Sequence, residues 1–381
     1  MNFSLDAEQQ QFQESAARFF REKADFERWR KCCEAGSPFD RALWSDMAGL
    51  GWLGLHLSEH LGGFAAHPVY TNLLMEQAGR ALAREPLVGS CVIAALLLPH
   101  MAEPLRSRIA EMVIDGQAVL ALAHGESQAR FNLADVQVRA EPTAHGFALR
   151  GLKSHVGDGA AADWFIVPAR SSGEARDPHG ISLFMVSAQS PGLTIHGMRG
   201  ADHRHHARLQ LDAVPVDAQA MIGKAGDGLE LLELAVDHAI VAGVAEAVGI
   251  MEALRDVTLA YLKTREQFGV RIGSFQVLQH RMVDMEIACE EARAMSWQAT
   301  ASLAADTAHR RHAVSAAKTR VGQTSLYVGH QAVQLHGGIG TTDELIVSHY
   351  LKRLVMLESS YGNADFHRRR FIEADAVLAP A

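Results

Sequence analysis

The hydrophobic period of this chain changes twice, and that order limits the folds open to it more tightly than any single residue. Over residues 1–116 the period is helical. Phe12, Ala16, Phe19, Phe20 and Phe26 recur at helix-like spacing, and Asp6 with Gln9 ahead of them reads as a capping box. Gly62, Gly63 and Pro68 punctuate this region before residues 75–82 resume the pattern. Over 117–226 short apolar or alternating runs take over, at 136–138, 147–149, 164–167, 183–186 and 209–211, with turn-rich stretches at 157–159 and 171–180 between them. Over 227–381 the helical period returns in long segments carrying Ala242, Gly243, Gly249, Ser315, Ala316 and Gly322, small residues that let helices approach closely. The expectation is an α+β chain of three parts: an N-terminal helical domain, a middle antiparallel β domain and a C-terminal four-helix bundle.

Composition removes several classes of function. The 36 Lys+Arg against 44 Asp+Glu give a formal charge of −8, which argues against a nucleic-acid surface. Cys32, Cys33, Cys91 and Cys289 include no C-x-x-C pair, so neither a metal nor a disulfide framework is expected. The opening M-N-F-S-L-D-A-E-Q-Q lacks the basic and apolar regions of a signal peptide. No apolar run is read as approaching the roughly 20 residues of a membrane span. These features lead to the expectation of a cytoplasmic protein.

Two segments stand out chemically: T-R-E-Q-F-G-V-R-I-G-S-F-Q-V-L-Q at 264–279 and Q-L-H-G-G-I-G at 334–340. Taken alone, a Gly-Gly pair after a helix reads as a C-cap. Taken together, on the helices where they fall, the two segments resemble the signature of the acyl-CoA dehydrogenase flavoenzymes, and the resemblance covers nearly the whole chain. It implies FAD between the middle domain and the C-terminal bundle, with its adenine-diphosphate end crossing to a neighbouring subunit. On that resemblance Arg265 would pair with pyrophosphate oxygens, a bond a guanidinium makes well. Gln267 and Phe268 would add a polar contact and an aromatic wall, followed by Phe275 and Gln276. Gln334, Gly337 and Gly338 match the second segment, where glycines let backbone amides come close to the cofactor.

The flavin-ring side departs from the family pattern. Where members carry Thr-Glu and then Gly-Ser-Asp, this chain reads Ala121-Leu122-Ala123-His124-Gly125-Glu126-Ser127. His155-Val156-Gly157 stands where Trp-Ile-Thr is usual, although the neighbouring glycines and Lys153 are kept.

The catalytic carboxylate is also missing. Dehydrogenation at Cα–Cβ of an acyl-CoA needs a base for the α-proton while the flavin takes a β-hydride, with the thioester oxygen held by hydrogen bonds. By gapless counting from Gln334, the usual Glu falls on Tyr361, or with a slip of one residue on Gly362. The alternative position on the earlier helix falls on Ala239, preceded by Asp237 and His238. Among nearby acids, Asp365 is a weak candidate for a relocated base, its plainer role being a helix-start carboxylate. Glu358 reads more simply as a solvated surface charge.

Other clusters invite plainer readings. His203, His205 and His206 read as a polar surface loop rather than a metal site, Arg368-Arg369-Arg370 as a solvated helix face, and Met282, Met285 and Met295 as core packing. The whole pattern resembles the smaller, degenerate subunit of heteromeric acyl-CoA dehydrogenases of the pimeloyl-CoA or steroid side-chain type. The implied assembly is an α2β2 complex with a homologous catalytic subunit, taking acyl-CoA and passing electrons to an electron-transfer flavoprotein. The alternatives are a self-sufficient homotetramer using Asp365, and an oxidase on the same fold.

Overall fold

The computed structural model describes residues 4–378. The first three residues of the stretch read above for a signal peptide lie outside the described residues.

The chain begins with α1 (Ala7–Lys23), α2 (Phe26–Glu34), α3 (Arg41–Gly49), α4 (Pro68–Arg80), α5 (Ala94–Leu97) and α6 (Leu105–Ile114). The strands β1 (Leu120–Leu122), β2 (Arg139–Thr143), β3 (Gly146–Val156), β4 (Trp164–Arg170), β5 (Ile181–Ser187), β6 (Leu193–Arg199), β7 (His205–Asp217) and β8 (Met221–Ile222) follow. Then come α7 (Gly228–Thr264), a small hairpin of β9 (Glu266–Gln267) and β10 (Val270–Arg271), α8 (Gln276–Ala301), α9 (Thr307–His336), α10 (Ile346–Ser359) and α11 (Ala364–Leu378). The expected capping box is formed at α1: Gln9 N donates to Asp6 Oδ1 at 2.8 Å, and Asp6 N donates to Gln9 Oε1 at 3.1 Å.

The contacts divide the chain into two units built from interleaved segments. A helical unit takes the N-terminal segment to Lys31, Pro68–Ala83 and Ile240 onward, and a sheet-bearing unit takes Cys32–His67 and Arg84–Ala239.

In the sheet-bearing unit the strands run in the order β6-β7-β3-β2-β4-β5-β8, with β1 pairing β4. Most pairs are antiparallel, but β1 runs parallel to β4, and β2 meets β4 in parallel at Arg139 and Arg170. The sheet is therefore mixed rather than purely antiparallel. Parallel neighbours need a long crossover, here the chain between β1 and β4, and residue alternation does not reveal it. The runs at 147–149, 164–167, 183–186 and 209–211 fall within strands, whereas 136–138 is a buried approach to β2. That approach is held by Glu126, which accepts from Gln137 N at 2.8 Å and from Lys153 Nζ at 2.6 Å. Lys153 and Glu126 are both buried, so the kept lysine closes an internal ion pair whose carboxylate is further satisfied by backbone.

The helical unit is organised on α9, which packs against α8, α10 and α11. Its small residues have a steric purpose. A Cβ on Gly79 of α4 would lie 2.1 Å from Glu246 O, and one on Gly249 of α7 would lie 1.8 Å from Glu76 O. The two helices therefore cross with backbone nearly touching backbone. Beside that crossing, Arg353 of α10 grips Glu246 of α7 through paired bonds of 2.7 and 2.8 Å in a buried setting.

One expectation about α7 needs correction. By length and composition this helix could cross a membrane, contrary to the reading that no apolar run comes close. Its most apolar window is 83% buried, which is how the core helix of a folded domain looks.

Candidate functional site

The R-x-Q-F-G segment folds into the β9–β10 hairpin, whose two-residue loop is Phe268–Gly269. Both loop residues have positive φ, 57° and 77°. A right-twisted two-residue hairpin asks for that, and glycine meets it without strain while an aromatic does not. Phe268 is nevertheless 90% exposed, so its strain is not offset by packing within the chain. Its ring stands edge-on to Phe275, with centroids 6.2 Å apart, and Phe275 is the N-cap of α8. Ahead of the hairpin, the exposed Arg265 guanidinium makes no hydrogen bond or ion pair among the described residues.

The second segment ends α9. Gly337 adopts φ 65° and closes the helix by donating to Gln334 O, so the C-cap role is met. Gly338 has no such reason to be glycine. Its φ is not in the left-handed region, and a Cβ there would meet nothing within 4 Å. Its bare backbone leaves room for a group from outside the chain to come close.

The fold brings these two segments to one cleft of about 460 Å³ within the helical unit, lined by Arg265, Gln267, Gln334, Gly337 and Gly338 among others. Phe268, Phe275 and Gln276 are not part of its wall. Two residues of the wall, Tyr261 and Arg281, lie outside both segments, and within the segments His336 was given no role. Arg281 lies one helical turn beyond Val277 and Leu278, which share the wall, so helical spacing from Gln276 could have pointed to it. His336 stacks on Tyr261 with centroids 4.5 Å apart, and its Nδ1 bonds Ala332 O at 2.8 Å. The residues of this cleft fit the diphosphate half of a dinucleotide: guanidinium, amide donors and open backbone, with no acid in the wall.

The turn between α10 and α11 is built otherwise. Tyr361 and Gly362 take φ 57° and 119°. His367, 0% exposed, reaches Tyr361 O through Nε2 at 3.1 Å and Ser315 Oγ through Nδ1 at 3.4 Å. A carbonyl can only accept, so Nε2 carries the proton and Nδ1 accepts from the serine. Burial pushes the His367 pKa down to about 3, with the Lys318 ammonium adding to the effect. Lys318 is buried as well and donates to Leu357 O at the end of α10, and burial pushes its pKa down to about 7. A Cβ on Gly362 would lie 2.6 Å from His367 Nε2, so glycine is required there on two counts.

The acids near this turn are accounted for structurally. Glu358 accepts from Ala364 N at 3.0 Å, capping α11 rather than standing as a solvated charge. Asn363 Oδ1 accepts from Phe366 N at 3.0 Å at the same helix start. The Asp365 side chain is 73% exposed and pairs with Arg368 at 3.4 Å. Of the three arginines read as a solvated face, Arg370 is instead buried and donates to Ser315 Oγ at 3.3 Å. Ala239, in the sheet-bearing unit, is buried.

In the sheet-bearing unit, Gly125 is bridged to His155, and a Cβ on Gly125 would lie 2.5 Å from His155 O. The His155 imidazole is exposed and stacks on His206 with centroids 4.6 Å apart. Val156 is fully buried. The segment therefore presents an imidazole and aliphatic packing where the family pattern has an indole and hydroxyls, and it does not fit the flavin ring in the family's manner. The histidine stretch also differs from expectation. It is the expected connection between β6 and β7, but Asp202 and Arg204 in that turn and His206 in β7 are buried rather than solvated, and no metal-holding group occurs among the described residues.

Three sequence models of one family match the chain in succession. Acyl-CoA dehydrogenase N-terminal, middle and C-terminal domains match residues 6–117, 121–214 and 226–374. Acyl-CoA dehydrogenase FadE27 of Mycobacterium tuberculosis is 28% identical over 341 residues, 87% of each chain. Mitochondrial isovaleryl-CoA dehydrogenase of Solanum tuberosum is 26% identical over 378 residues, 96% of this chain and 89% of the other. Among solved structures, the ChsE4–ChsE5 complex of Mycobacterium tuberculosis superposes with a TM-score of 0.89 at 26% identity, covering 100% of both chains.

Proposed function

The chain belongs to the acyl-CoA dehydrogenase family, and on that premise we propose that it is the base-lacking subunit of a heteromeric acyl-CoA dehydrogenase, completing the FAD site of a homologous catalytic partner. The observation that carries this reading is the α10–α11 turn. The place of the family's carboxylate holds Tyr361, and the turn around it is tied from within by His367 and Lys318. A phenol with a pKa near 10 is about one part in a thousand ionised at neutral pH, so it does not take an α-proton as a carboxylate does. Losing a positioned base forfeits on the order of 10²–10⁴ in rate.

FAD is the family's cofactor, and when bound it supplies the acceptor for the β-hydride. Toward it this chain offers Arg265 for the pyrophosphate, Gln267 and Gln334 for polar contacts, and the bare backbone of Gly337 and Gly338. Phe268, Phe275 and Gln276 lie outside the cleft wall and would serve the neighbouring subunit. Support for a covering partner comes from the surface. Val277, Val283 and Ile287 of α8 are exposed, as are Val270 of the hairpin and Ile339 after α9. So many large apolar side chains on adjoining segments mark an interaction face. The likeness to the ChsE4–ChsE5 complex supports a pairing of two chains. The proposed assembly is α2β2, and its proposed electron acceptor is an electron-transfer flavoprotein.

The self-sufficient alternative would need Asp365 as base. A carboxylate in open solvent, already paired with Arg368, lacks the enclosure of a base that works on a bound substrate. The test is co-expression with a homologous chain that retains a Tyr-Glu-Gly turn. The two should co-purify with FAD and dehydrogenate an acyl-CoA with electron-transfer flavoprotein as acceptor. A homotetramer of this chain that does so alone would overturn the reading.

A further inference from the structure

The cofactor cleft holds a second guanidinium that packing does not explain. Val277, Leu278 and Arg281 share one face of α8, and that face forms part of the cleft wall beside Arg265. Arg281 Nη1 donates to Gln331 Oε1 at 3.2 Å. Gln331 lies one turn before Gln334 on α9, so a residue of the second motif's own helix orients the guanidinium. A guanidinium has five N–H donors, and this bond is the single one that the Arg281 side chain makes among the described residues, with no ion pair. The cleft thus carries two fixed positive charges and no acid. Arg265 is exposed and Arg281 half-buried, so an anion entering the cleft would meet both charges at its wall.

The third basic residue of the wall is not a third charge. His336 is 4% exposed, and its Nδ1 must be the protonated nitrogen because its partner, Ala332 O, can only accept. Nε2 is then a lone pair, and it has no hydrogen-bond partner among the described residues. The groups facing the ring are Tyr261, stacked on it from α7, and the two arginines of the cleft wall. None favours a proton on Nε2. Burial lowers the His336 pKa further, so the ring stays neutral around pH 7.

We propose that Arg281 is a second phosphate-binding cation of this cleft, so that Arg265 and Arg281 together hold the diphosphate of the dinucleotide. This rests on reading the cleft as the cofactor site. It adds a residue outside both motifs and assigns the charge to α8 and the hairpin approach, with no charge from His336 at the end of α9. No bond is made or broken in the step, and the diphosphate replaces solvent at the two guanidiniums.

The experiment measures equilibrium binding of FAD, ADP and adenosine to the flavin-stripped protein in the oligomer in which it purifies, for wild type, Arg281→Gln, Arg281→Lys and Arg265→Gln. Arg281→Gln should weaken FAD and ADP about tenfold while leaving adenosine unchanged. Arg281→Lys should fall between, since an ammonium keeps the charge and loses the fork. Added salt should weaken ADP binding less steeply in Arg281→Gln than in wild type. Wild-type affinity for ADP within twofold in Arg281→Gln, with Arg265→Gln impaired, would overturn the role of Arg281 and leave the cleft standing. Equal loss of adenosine binding would also overturn it, since packing would then be the cause. No effect from either arginine would overturn the cleft itself. ADP affinity in the wild type should not tighten on going from pH 8 to 7, where phosphate ionisation is corrected with free ADP. Tighter binding on acidification that His336→Gln abolishes would assign the second charge to His336 instead.

Discussion

The cofactor cleft and the α10–α11 turn lie in the same unit and hold their polar groups in opposite ways. At the cleft, the Arg265 guanidinium and the Gln334 amide bond nothing among the described residues, Phe268 is held exposed at positive φ, and Gly338 is bare without internal cause. At the turn, Tyr361 O is bound by His367, Leu357 O by Lys318, and Ala364 N by Glu358. The first region is unfinished by its own chain, as a binding surface is. The second is complete without a ligand. The turn that carries Tyr361 thus has a structural role, closing α10 onto α11 through bonds of its own chain.

That contrast is open to direct attack. Replacing His367 with Ala removes a buried ring with two hydrogen bonds and should cost about 3 kcal/mol of stability, measured by urea unfolding, while FAD content stays at the wild-type level. If instead flavin is lost and stability holds, the turn belongs to the site. Arg265→Gln should do the reverse. FAD binding should weaken by about 2 kcal/mol, roughly thirtyfold, with the unfolding midpoint of the flavin-free protein unmoved. A drop in that midpoint would make Arg265 part of the scaffold.

A smaller effect comes from Lys318. Its pKa is pushed down to about 7 in the folded chain by burial, while the unfolded chain keeps it protonated to about pH 10. Between those values the unfolded state holds the extra proton, so raising the pH favours folding, by up to about 1.4 kcal/mol per pH unit. Below pH 7 both states are protonated and the slope vanishes. Comparing unfolding free energies at pH 7.5 and 8.5 for wild type and Lys318→Met isolates this slope, which the variant should lack. Least of all should come from Asp365→Asn, because its side chain is solvent-exposed and its ion pair with Arg368 is a surface one. Stability should change by less than about 0.5 kcal/mol, and the response of the complex to acyl-CoA should not change.

Much of this was legible before the fold was seen. The eight strands of the main sheet fall between the two changes of period, the capping box at Asp6 formed as read, and Arg265 and Gly338, some seventy residues apart, do share a cleft, whereas the β9–β10 hairpin and the interleaving of the two units were not visible in the pattern. What escaped depends on contacts that no local pattern encodes. The parallel pairing of β1 with β4 is set across a long connection. The turn into β7 and the start of that strand bury Asp202, Arg204 and His206 inside a stretch whose composition looks solvated. Lys153 finds its carboxylate 27 residues back in sequence. Glu358 and Arg370 looked like surface charges because a helix face is read one element at a time, whereas their roles are fixed by α11 and α9 packing around them. Arg281 lies two residues beyond the end of the 264–279 segment, on the helix that the segment enters, so only the helical spacing from Val277 brings it to the wall.

The central claim is that this chain binds its half of the flavin site and does no dehydrogenation by itself. The most direct measurement is to purify the chain alone, load it with FAD, add a panel of acyl-CoAs without oxygen, and follow the flavin absorbance. The account predicts little retained flavin, and no bleaching of what is retained until a homologous partner with the missing Glu is added. Near-stoichiometric FAD that an acyl-CoA bleaches in the chain alone would contradict it.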